Sequence, residues 1–110
     1  MNLKNQAINY FKIFCLKDLN GLENIFDKKI SLIDWVVEIK GIKNVIRFNK
    51  KTFNKFKKIN VKIKEIFINN KKRSVACKII IKLDKIELKV VDILYFSKKN
   101  KIVRIEAYKL

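Results

Sequence analysis

At 110 residues the chain has room for one domain and one core, and a makeup of 49% hydrophobic and 34% charged residues excludes a disordered tail. The formal charge of +17 comes almost wholly from Lys, with Arg only at positions 47, 73 and 104. Lysines scattered over turns and helix ends make a solvated surface, whereas sites that read phosphates favour Arg, so nucleic acid is not the expected partner.

Cys15 and Cys77 are far apart in sequence and the chain has no His, so both are expected to be free core thiols, with no metal site and no cofactor. The opening residues lack the pattern of a secretory leader, and no apolar run approaches transmembrane length. A cytoplasmic location without membrane contact is the expectation.

In chain order, Ala7, Ile8, Phe11, Phe14 and Cys15 recur at helical spacing. Asp18 then serves as N-cap of a short second helix carrying Leu19, Leu22, Ile25 and Phe26. Residues 29–37 read as a strand. Gly41 opens a third helix, with an apolar stripe of Ile42, Val45, Ile46, Phe53 and Phe56, that ends near Lys58. Beyond it the period changes to two, and the polar turns at 69–71, 84–85 and 98–100 divide the remainder into antiparallel strands over 60–68, 73–83, 86–97 and 101–109. The alternation slips at Lys64-Glu65, which predicts a bulge. A curved sheet with helices on one face, an α+β domain spanning residues 1–110, buries both patterns. The phase Val75, Cys77, Ile79, Ile81 is read as an apolar outer face that needs a second cover.

Two carboxylates interrupt apolar phases. Asp92 shares its phase with Ile86, Leu88, Val90, Leu94 and Phe96, and Asp34 shares one with Ile30, Leu32 and Val36. A buried carboxylate needs a partner, protonation or a polar cavity, and a raised pKa suits acid–base chemistry. The opposite phase, Val91, Ile93 and Tyr95, is also apolar, so periodicity leaves open which face of that strand is inner. Tyr10 reads as a core residue whose hydroxyl wants a partner.

The segment Tyr10-Phe11-Lys12-Ile13-Phe14, followed by Lys17-Asp18-Leu19-Asn20-Gly21-Leu22 and Ile25-Phe26, resembles the opening helices of SnoaL-like proteins. Ile33-Asp34-Trp35 and Lys40-Gly41-Ile42-Lys43-Asn44-Val45 resemble the family's first strand and third helix start. Val91-Asp92-Ile93-Leu94-Tyr95-Phe96 and Lys101-Ile102-Val103-Arg104-Ile105-Glu106-Ala107-Tyr108 resemble its terminal strand pair. Together these cover nearly the whole chain, and their order is that of the SnoaL-like and ketosteroid isomerase-like proteins of the nuclear transport factor 2-like superfamily.

The resemblance implies a cone-shaped curved sheet wrapped around three helices, a ligand pocket between them, and a homodimer formed through the sheet. Carried over from the isomerases, it implies Asp34 as a base, with Tyr10 and a protonated Asp92 as donors to an enolate oxygen. Carried over from the cyclases, it implies Asp92 as the acid–base group. Trp35 and the absence of His depart from the enzyme patterns. Three readings follow. The first is a pocket enzyme that moves a proton next to a carbonyl. The second is a binder of small apolar molecules, its pocket lined by Phe14, Trp35, Ile46, Leu94, Ile105 and Ala107. The third is a basic scaffold that holds polyanions in a salt-dependent way.

Overall fold

The computed structural model describes residues 2–110. Helix α1 (Leu3–Cys15) starts where Asn2 Oδ1 accepts from the Asn5 N–H at 2.8 Å, and α2 (Leu19–Ile25) starts where Asp18 Oδ1 accepts from the Gly21 N–H at 2.9 Å. Both are side-chain caps of otherwise unpaired first-turn amides, and the Asp18 cap is the one expected from the sequence. Gly21 is small for a reason: a Cβ there would sit 2.5 Å from the Asp18 carboxylate.

The single strand expected over 29–37 is two. Strand β1 (Phe26–Ile33) begins directly at the end of α2, and β2 (Glu38–Lys40) folds back antiparallel on it. The chain turns at Asp34, whose N–H donates to the Val37 carbonyl at 2.9 Å, so Val36 is thrown out to solvent and shares no face with Ile30 and Leu32. Helix α3 (Ile42–Lys55) follows, and ends a turn short of Lys58.

Four long strands complete the chain: β3 (Ile59–Asn69), β4 (Ser74–Leu83), β5 (Ile86–Phe96) and β6 (Ile102–Lys109). They match the expected strands to within a residue, and the pairing of β3 with β4 slips between Ile63 and Glu65, at the expected bulge. The sheet order is β2-β1-β6-β5-β4-β3, antiparallel except for β1 beside β6. One helix, α3, lies in the chain between β1 and the long strands, and β1 joins β6 in parallel, which makes the sheet mixed.

Helix α1 packs on β3 and β4, α3 on β1 and β2, and α2 lies against both helices and β1. The core under them contains Leu22, Ile30, Val45, Val75, Cys77, Leu94 and Ile102, all less than 2% exposed. The phase Val75, Cys77, Ile79, Ile81 is therefore the inner phase of β4 and not its outer one, because α1 covers it. Among the described residues no helix is long and apolar enough to cross a membrane.

Gly41 begins α3 with φ 90° and ψ 143°, while its N–H donates to the Ile30 carbonyl at 2.8 Å and pins the helix start to β1. That backbone region is almost closed to residues with a Cβ. A Cβ placed at this position would meet no atom within 4 Å, so strain alone sets the cost of a substitution. Gly41→Ala is expected to lower stability by about 1–3 kcal/mol, read from the urea midpoint at unchanged m-value.

Candidate functional site

Between α1, α3 and the inner face of β4–β6 lies a cavity of about 220 Å³. Its wall is mainly apolar, built from Phe14 of α1, Leu32 of β1, Phe48 of α3, Ile79 of β4, Val90 of β5 and Ile105 of β6, among others. Phe14 meets Phe53 edge-on at 5.2 Å, and Tyr10 packs among Phe11, Phe14 and Phe26 at centroid distances of 5.0–6.2 Å. These edge-on and tilted aromatic contacts pack one wall of the cavity. A second cleft of about 230 Å³ near Gln6, Asn9 and Asn100 has no acidic or basic side chain in its lining.

The polar groups of the first cavity are few. Asp92 stands on β5, between Cys77 of β4 and Ala107 of β6 in a cross-strand row, and is only 9% exposed. The inner phase of β5 is thus the one that contains Asp92. Burial among apolar neighbours, reinforced by the negative charge of Asp34, pushes its carboxyl up to about 7. The same burial, with Asp92 adding to it, raises the Tyr10 phenol well above its ordinary value and pushes the Cys77 thiol up to about 12.

Four of the five aspartates accept backbone N–H groups at caps or turns: Asp18 from Gly21, Asp27 from Lys29, Asp34 from Val36 and Val37, and Asp84 from Lys57 and Lys58. Asp92 is the fifth, and no described residue donates to it. It is held by its strand alone, and burial against bare hydrocarbon is what raises its hold on a proton.

Asp34 lines the cavity from the β1–β2 turn. Its Oδ1 accepts from the Val36 and Val37 N–H groups at 2.7 and 2.8 Å, which fixes the carboxylate in the turn and leaves Oδ2 without a donor among the described residues. Trp35, next to it, is 45% exposed with the Lys109 ammonium 5.4 Å from its ring, and forms part of the rim. Tyr10 also lines the cavity, but no hydrogen bond joins its hydroxyl to Asp92 among the described residues.

Of the expected lining residues, Phe14, Trp35, Ile105 and Ala107 do face the cavity. Leu94 and Ile46 do not. Leu94 is wholly enclosed in the core beyond Asp92, and Ile46 lies on a different side of α3, beside Ile42 and Arg47. Among the cavity residues missing from the sequence expectations, one polar side chain stands apart. Asn49 is 3% exposed, and its Nδ2 has no hydrogen-bond partner among the described residues. A signal for it exists: Asn49 sits four residues after Val45 and four before Phe53, so an amide occupies the buried stripe of α3. An unsatisfied buried donor of this kind costs about 1–3 kcal/mol.

No family model matches this chain, and no curated protein matches it in sequence. Solved structures match in shape. A nuclear transport factor 2-like protein of unknown function from Cytophaga hutchinsonii superposes with a TM-score of 0.85 at 8% identity, over 100% of this chain and 91% of its own. A SnoaL-like protein of unknown function from Burkholderia thailandensis gives 0.87 at 8% identity, over 98% and 93%. A Kribbella flavida protein provisionally described as a ketosteroid isomerase gives 0.84 at 14% identity, over 98% and 77%. The chain therefore has the nuclear transport factor 2-like, cystatin-like fold, the architecture its sequence resembles. At these identities the likeness is one of fold.

The Asp92 carboxyl makes stability depend on pH in a defined direction. Between the ordinary Asp value of about 3.9 and about 7 the folded chain holds a proton that the unfolded chain has released, so stability falls as pH rises through that window and levels off above it. The loss amounts to roughly 4 kcal/mol at 1.36 kcal/mol per pH unit. Asp92→Asn should abolish that slope and be the more stable protein at pH 8, as measured by urea unfolding from pH 4 to pH 8.

Proposed function

We propose that this chain is a small-molecule pocket protein that moves a proton next to a carbonyl group. The observation that carries this reading is a carboxyl of raised proton affinity, Asp92, and a second carboxyl, Asp34, facing one apolar cavity. A carboxyl that keeps its proton and a second carboxyl in the same cavity supply the donor and the base that proton transfer requires. Asp34, seated on two backbone N–H groups, is the base that takes a proton from the carbon beside the carbonyl. Protonated Asp92 and the Tyr10 hydroxyl donate to the oxygen on which charge develops, and the proton is then returned to carbon. No net oxidation or added group is needed.

The cavity volume limits the substrate. About 220 Å³ is below the roughly 300–1,000 Å³ of clefts that hold drug-sized ligands, so a one- or two-ring molecule suits it and a four-ring one does not. 2-Tetralone is a suitable probe. Deuterium exchange at its α-carbon in D₂O should be faster with the protein than in buffer, and Asp34→Asn should lower the enzymatic rate by about 10²–10⁴-fold. The rate should also fall as pH rises through about 7, where Asp92 loses the proton it donates. Binding of 2-tetralone with no exchange above buffer would leave the non-catalytic binder as the reading. The Asp34 turn favours that second reading in one respect, since its Oδ1 is already occupied by the chain's own amides.

A homodimer belongs to the same proposal. The outer face of the sheet presents the cross-strand row Phe67, Ala76, Ile93, with Tyr108 beside it, and Phe67 and Tyr108 are each more than half exposed. Apolar side chains in a contiguous row favour a second cover. Ile93→Lys is expected to shift the mass seen by light scattering from twice the 13.1 kDa chain to the single chain.

A further inference from the structure

The amide of Asn49 has no role in the proton-transfer scheme, yet it occupies the most demanding position in the cavity wall. It stands on the buried stripe of α3 between Val45 and Phe53, where an apolar residue would fill the same space. Thr52, the other polar residue that α3 gives to the cavity, returns its hydroxyl to the Phe48 carbonyl at 3.2 Å and so is satisfied within the helix. Asn49 has no such return bond, and its Nδ2 lacks any acceptor among the described residues. A buried donor left open in a cavity wall is a group whose partner comes from outside the chain.

We propose that Asn49 is the ligand-selecting residue of this cavity, donating from its side-chain amide to the oxygen of an uncharged, one- or two-ring carbonyl compound. The inference rests on the reading of the cavity as a small-molecule pocket, and not on catalysis. The charge of the ligand follows from Asp34 and Asp92: the Asp34 carboxylate, joined by Asp92 once that group ionises, repels a carboxylate or phosphate from so small a cavity. Its apolar body follows from the wall of Phe14, Phe48, Ile79 and Val90. Its acceptor follows from Asn49. A carbonyl oxygen has two lone pairs, so it can take the amide and a second donor together. The amide does not titrate, and its contribution therefore persists above pH 7, where Asp92 has ceased to donate.

The test compares 2-tetralone with tetralin, the same two rings without the oxygen, by titration against Trp35 fluorescence at pH 6 and pH 9. In Asn49→Leu, which keeps the approximate shape and removes the amide, the affinity for 2-tetralone relative to tetralin is expected to fall about tenfold at both pH values. An unchanged ratio, with both molecules still bound, overturns the role of Asn49 and leaves the pocket reading intact. Binding of neither molecule to the wild-type protein overturns both. The wild-type protein gives an answer even if Asn49→Leu does not fold: an Asn49 side-chain amide proton should move downfield in the ¹H–¹⁵N spectrum with 2-tetralone and not with tetralin. The same movement with both, or with neither, overturns the proposal.

Discussion

Covering the inner face of the sheet is the constraint on which this structure turns. The long strands have 10 or 11 residues in β3, β4 and β5, roughly 35 Å of chain, while α1 and α3, of 13 and 14 residues, are each only about 20 Å long. Three helices cannot lie over all of that surface. Near α1 the fit is complete, and Val75 and Cys77 are sealed. Farther along the same strands Ile81, Leu83 and Leu88 are only half-buried and line the cavity instead. The pocket is thus the part of the sheet that the helices do not reach.

The polar residues in that gap acquire their properties from it. Asp92 would be an ordinary aspartate at a turn, as Asp84 is, where backbone N–H groups of Lys58 and Lys57 hold its carboxyl below the usual range. On the inner face of β5 it has no such donors, and burial drives it the other way. The two residues differ by environment alone. The outer face shows the contrast again: Glu106, on β6, accepts from Arg104 at 2.6 Å and from the Tyr95 and Tyr108 hydroxyls, and is lowered by them. The surface carries the excess of Lys, and only two ion pairs, Lys78 with Glu65 and Arg104 with Glu106, form among the described residues. Its charge therefore contributes little to holding the fold together.

Much of the architecture was legible because it depends on local patterns. The period-two alternation marked β3 to β6 to within a residue, the slip at Lys64-Glu65 marked the bulge, and Asp18 marked the start of α2. The hairpin of β1 and β2 was not legible, because a three-residue strand has no periodicity of its own and the turn at Asp34 is closed by a hydrogen bond that only the folded backbone displays. The inner face of β4 was hidden for a related reason. Alternation states which residues lie together, and not which side the helices will cover.

The chain's own order of residues determined the helices, the four long strands with their antiparallel succession and the presence of Asp92 in an apolar phase, since hydrophobic period, caps and turn residues act over a few positions. Tertiary packing alone decided that Asp92 faces inward, that Asp34 faces the same cavity, that Leu94 and Ile46 do not line it, and that Asn49 is left without a partner. Those outcomes depend on where α1 and α3 come to rest on the sheet, across separations of dozens of residues. Burial and proton affinity are properties of that assembled environment, so no short stretch of sequence contains them.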